Sequence, residues 1–90
     1  MLNFRIKQLR TNQNLTQVEL ARSLSVTKQA VSNWENDNIQ PSIEMLIKIA
    51  DFFGVSTDYL LGRDNKQYIE VSGLDDKKIS HIRLIIDDMR

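Results

Sequence analysis

Chain breakers are scarce in this 90-residue sequence. Pro41, Gly54, Gly62 and Gly73 are its only proline and glycines, and long stretches run unbroken between them. Few β-branched alternations compete for those stretches, so periodicity points to helices. Leu2, Ile6 and Leu9 share one face of a helix over 2–11. Thr16-Gln17-Val18-Glu19 reads as a capping box opening a second helix, with Leu15, Val18, Ala21 and Leu24 as its apolar face. After a tight turn at Ser25-Val26, Thr27 is placed to cap a third helix over 28–35, whose Val31 and Trp34 face inward. Residues 36–41 are loop by composition. Ser42 caps a fourth helix with a broad stripe of Ile43, Leu46, Ile47, Ala50 and Phe53, closed by Gly54. Ser56 caps a short fifth helix ending near Gly62. The expected fold is all-α.

Residues 63–74 read as a polar linker, in which Tyr68-Ile69-Glu70-Val71 is either a short strand or an extended tether. A sixth helix is predicted over 75–89. There Ile79, Ile82, Ile86 and Met89 take a and d positions. A lone helix of this length is marginal in water. The seam therefore packs back on its own domain or against a second copy, and the second is favoured. The expected division is 1–62 for a compact domain, 63–74 for the linker and 75–90 for a dimerisation segment.

Composition removes several function classes. Cysteine is absent, which excludes disulfide scaffolds, thiolate metal sites and cysteine nucleophiles. With a single histidine, His81, no histidine cluster of metal-ligand spacing exists, and His81 reads as surface or dimer seam. No nucleophile–base pair or phosphate-cradling glycine loop is visible, so neither an enzyme nor a cofactor is expected. No apolar run approaches membrane-spanning length, and charge arrives at Arg5. A cytoplasmic protein without membrane contact is the expectation. Asn14-Leu15-Thr16 fits a glycosylation sequon by chance, abutting a helix cap.

Twelve Lys and Arg balance twelve Asp and Glu, so net charge names no partner. Its distribution says more. Residues 1–34 carry Arg5, Lys7, Arg10, Arg22 and Lys28 against Glu19 alone. Residues 35–62 carry Lys48 against Glu35, Asp37, Glu44, Asp51 and Asp58. Such polarity lets a neutral domain present a positive face to a phosphate backbone.

The functional signal lies in the second and third helices. Two short helices joined by a tight turn, with small Ala21 at the crossing, make a helix-turn-helix unit. Leu20, Ala21, Val26 and Val31 would be sealed inside, with Trp34 and the Phe52-Phe53 pair also read as core. Left outside are Lys28, Gln29, Ser32 and Asn33 on one helix face. Out of context that is a solvated polar face. On a helix that fits the major groove, Gln and Asn can bond adenine bidentately and Lys can bond guanine.

Five words in order carry a resemblance: Ile6-Lys7-Gln8-Leu9-Arg10, Leu15-Thr16-Gln17-Val18-Glu19-Leu20-Ala21, Val31-Ser32-Asn33-Trp34-Glu35-Asn36, Pro41-Ser42 and Phe53-Gly54-Val55-Ser56. Residues 6–61 resemble the phage-repressor family of Cro type, also called XRE. The resemblance implies a compact five-helix, lambda-repressor-like DNA-binding domain, here with an additional C-terminal helix. It implies that Lys28, Gln29, Ser32 and Asn33 face base edges. It sets Thr16 and Gln17 against phosphates, joined by Asn36, Asn38 and Gln40. It also implies that Arg10 and Glu35 pair. Two departures stand out. Ser25 occupies a turn position where the family usually has glycine. The loop 36–40 holds Asp37 and no cation, which predicts fewer neutralised phosphates. The expected function is a sequence-specific regulator of transcription, a repressor reading a palindromic operator in double-stranded DNA as a homodimer. The alternative is an antitoxin or adaptor whose C-terminal segment grips a partner protein.

Overall fold

The computed structural model describes residues 1–64 and 69–90. Among the described residues there are six helices: α1 Leu2–Asn12, α2 Gln17–Leu24, α3 Lys28–Glu35, α4 Ile43–Phe53, α5 Thr57–Leu60 and α6 Asp76–Asp88. No strand occurs among the described residues. Ile69–Val71 run as irregular chain beside the α4–α5 junction, where they line a groove with Ala50, Asp51 and Gly54. Tyr68 of that patch lies outside the described residues.

Each helix start from α2 onward is closed by a hydroxyl or carboxylate. Thr16, Thr27, Ser42, Ser56 and Asp75 accept from the amide three residues ahead, satisfying donors that a helix cannot pair internally. Between the caps the apolar residues converge on one core. Ile6, Leu20, Leu24, Val31, Ile49 and Leu60 are fully buried, with Ala21, Trp34, Ala50 and Phe53 around them. The helix-turn-helix pair α2–α3 thus rests on a platform made by α1, α4 and α5.

Several sequence expectations need correction. Val18 is 46% exposed, and Val26 is only half-buried at the turn. In α4 the broad stripe splits. Ala50 and Phe53 enter the core and Leu46 is half-buried, whereas Ile43 and Ile47 face solvent, and Ile49, outside the expected stripe, is fully buried. Against two neighbours a helix buries a narrower arc than its apolar residues span, and the pattern cannot say which edge is left out. Phe52 is also exposed, its ring edge-on to Phe53 with centroids 5.0 Å apart. Successive helical residues point about 100° apart, so only one of the pair reaches the core. Arg5, counted among the cations of residues 1–34, is buried with its guanidinium 4.0 Å above the Tyr59 ring.

No residue of α6 is buried. The radius of gyration is 15.0 Å, against about 12 Å for a compact chain of this length. The sixth helix accounts for the difference by extending away from the core.

Candidate nucleic-acid interface

The geometry of α3 begins at the turn before it. Ser25 closes α2 in the left-handed conformation, φ 59° and ψ 40°. The Val26 amide then donates to Ala21 O and the Ser25 amide to Arg22 O, so the last turn of α2 ends with its carbonyls satisfied. Thr27 Oγ1 next accepts from the Ala30 amide at 3.1 Å, which starts α3 in a fixed direction.

The inner face of α3 is anchored by Val31, Trp34 and Glu35, all buried. Glu35 gathers three helices. Arg10 Nε and Nη2 of α1 donate to its two carboxylate oxygens at 2.6 and 2.9 Å. Gln17 Nε2 of α2 donates to Oε1 at 3.1 Å. Arg10 Nη1 donates to Leu15 O at 2.7 Å. Bonding to Glu35 is the main reason the Arg10 pKa is raised above its ordinary value, so the guanidinium stays charged. A bidentate guanidinium–carboxylate pair fixes orientation as well as distance, so α3 is locked to both α1 and α2.

The outer face of α3 carries the four candidate base readers. Lys28 and Gln29 are exposed, and Ser32 and Asn33 are half-buried. Gln29 Nε2 donates to Asn33 Oδ1 at 3.0 Å, one helical turn on. Ser32 Oγ accepts from Asn36 Nδ2 at 3.2 Å. The structure therefore brings together two amides side by side, and a hydroxyl tied to the following loop.

Candidate phosphate contacts flank this face. Thr16 and Gln17 stand at the start of α2. There Thr16 Oγ1 accepts from the Glu19 amide at 3.1 Å, and Glu19 accepts from the Thr16 amide at 2.9 Å. This reciprocal bonding holds the Glu19 pKa below its ordinary value. Gln17 is engaged with Glu35, yet its amide nitrogen carries a second hydrogen. After α3, Asp37 takes φ 58° and the Asn38 amide turns back to Asn33 O at 2.9 Å. Asn36, Asn38 and Gln40 are left exposed.

Of the five cations in residues 1–34, Arg5 is buried on Tyr59 and Arg10 is spent on Glu35. Lys7, Arg22 and Lys28 are exposed. Gln17 as a ligand of Glu35 and Arg5 as a buried group both escaped sequence reasoning. Their partners lie far along the chain, and no local pattern marks them. Among the described residues, no group of three or more His, Cys, Asp or Glu is arranged to hold a metal ion, and no helix is long and apolar enough to cross a membrane.

The sequence profile of a helix-turn-helix family, HTH_3, matches residues 6–60. The chain belongs to this helix-turn-helix family. Two relatives and one solved structure place it further. The HTH-type transcriptional activator BcrR of Enterococcus faecalis is 46% identical over 59 residues, which is 66% of this chain and 29% of BcrR. The HTH-type transcriptional regulator ImmR of Bacillus subtilis (strain 168) is 40% identical over 63 residues, 70% of this chain and 50% of ImmR. The chain thus matches half or less of the length of these relatives. The P22 c2 repressor, solved in complex with a synthetic operator, superposes with a TM-score of 0.67 at 30% identity, covering 71% of this chain and 97% of that one. The helix-turn-helix domain is of phage-repressor type, with five helices and α6 added to them.

Proposed function

We propose that this helix-turn-helix protein is a sequence-specific repressor that reads a palindromic operator as a homodimer, with α3 of each copy in the major groove. The observation that carries the reading is the exposed Gln29–Asn33 amide pair on a helix locked from behind by Arg10–Glu35. Amides in that position have the donors and acceptors to address base edges, and a rigid mount converts them into preference rather than loose contact. Lys28 and Ser32 complete the reading face. Thr16, Gln17, Asn36, Asn38 and Gln40 flank it as phosphate contacts, which set register without sequence information. The likeness to a repressor solved on operator DNA favours repression. This role needs no cofactor or catalysis, and its DNA partner sets its working place in the cytoplasm.

Selection of bound duplexes from random DNA tests the reading. The expected outcome is an inverted repeat with half-site centres about 10 base pairs, or a multiple of one helical turn, apart. A reporter promoter carrying that repeat should then be silenced. Failure to enrich any sequence would overturn base reading by α3, and enhanced transcription would overturn the repressor role.

A further inference from the structure

Helix α6 displays an apolar face that its own core does not use. Ile79 and Ile82 are half-buried, while Ile85, Ile86 and Met89 are 48%, 37% and 81% exposed. The described tether residues Ile69–Val71 lie against the α4–α5 junction instead. The charges beside the seam say what fits it. Carrying the helical register through the C-cap Met89 to Arg90, with Ile79 and Ile86 at a and Ile82 and Met89 at d, the e positions are Asp76, Arg83 and, just past the helix end, Arg90, and the g positions are Lys78 and Ile85.

In a parallel pair, g of one helix meets e of the other. Lys78 would then oppose Arg83 of the second copy, and Ile85 would oppose Arg90, each twice by symmetry. In an antiparallel pair, e meets e and g meets g. Asp76 then opposes Arg90 twice, and Ile85 meets its own equivalent as an added apolar layer. Arg83 meets its equivalent at the centre, where Asp87, four residues on, offsets the charge on the same helix. Each seam layer is filled: Ile79 against Met89, and Ile82 against Ile86.

We infer that α6 pairs with α6 of a second copy in antiparallel orientation, in the register that sets Ile79 opposite Met89. The inference rests on the homodimer in the proposed function and adds its geometry. The 13-residue helix is about 20 Å long, so antiparallel pairing sends the two domains off from opposite ends. That separation, extended by the two tethers, reaches half-sites about 34 Å apart.

The cysteine-free sequence makes the test direct on the full chain. Under mild oxidation, the double variant Ile79→Cys with Met89→Cys should form a covalent dimer, at least tenfold more than either single variant. Asp76→Arg should weaken the dimer about threefold or more, and adding Arg90→Asp should restore it. Because α6 contributes nothing to the core, unfolding of the core should be unchanged in all of these. Efficient cross-linking by Met89→Cys alone would establish a parallel pair and overturn the orientation while leaving a dimer. A chain that stays monomeric at high micromolar concentration and gives no cross-link would overturn the dimer too, whether or not another protein occupies α6. Base reading by α3 stands or falls separately, on the selected duplexes.

Discussion

Glu35 is the residue on which the candidate interface hangs, since one carboxylate holds Arg10 and Gln17 together at the back of α3. Removing either member of the Arg10–Glu35 pair strands a charge that is almost wholly out of water. Arg10→Ala and Glu35→Ala should each cost about 3–5 kcal/mol in denaturant unfolding, and the double variant less than their sum. Additive losses below 1 kcal/mol in such a cycle would mean that the pair does not hold the helices. Glu35→Ala also frees Gln17, so its DNA binding should fall more than stability alone explains. On the opposite face, Gln29→Ala or Asn33→Ala should cost about 1–3 kcal/mol on the selected operator and loosen preference there. Gln17→Ala should weaken all sequences about equally, and a binding assay over single-base operator variants separates the two behaviours. The outward polar face of Lys28, Gln29, Ser32 and Asn33 was legible in the sequence because surface chemistry on a helix is periodic and local. Arg5 was not. Its partner Tyr59 is more than half the chain away, and a cation near the N-terminus looks like any surface charge until a ring covers it.

At the scale of elements, caps and turns were readable and facing directions only partly so. A cap is settled by residues three positions apart, which is why Thr16, Thr27, Ser42 and Ser56 all announced themselves. The orientation of α4 depends on where two other elements press upon it, so the pattern put Ile43 and Ile47 inside and left out Ile49, which is the one buried. The turn before α3 stores strain in Ser25, which sits at φ 59°. A left-handed residue other than glycine costs about 1–2 kcal/mol, and glycine gives back about 0.4–1 kcal/mol through the unfolded chain. Ser25→Gly should therefore raise stability by about 1 kcal/mol or less, seen as a shifted denaturant midpoint. A destabilised variant would show that Ser25 does more than close the turn. The start of α2 has a pH signature. Glu19 has its pKa lowered by the Thr16 amide. A carboxylate whose folded pKa lies below its unfolded value adds stability that is complete above the unfolded value and fades as pH falls through the folded one. An NMR titration should find the Glu19 carboxyl ionising below an ordinary glutamate, and Thr16→Ala, which keeps the backbone amide and loses only the hydroxyl, should bring it only part of the way back.

For the whole molecule, the main division is between a core and an appendage. Among the described residues every buried apolar side chain lies from Ile6 to Leu60, and none belongs to α6. A chain ending at Gly62 should therefore melt within a few degrees of the full chain. A large drop in calorimetry would reveal support from the tail that burial does not show. The neutral total charge conceals a different division, inside the domain, where a basic stretch 1–34 is averaged against an acidic stretch 35–62. Separate burial also bears on descent. A helix such as α6, with no buried residue of its own, can be lost, lengthened or exchanged by recombination without any compensating change in the core. A hybrid gene joining residues 1–74 to an unrelated self-pairing helix should keep this protein's operator preference.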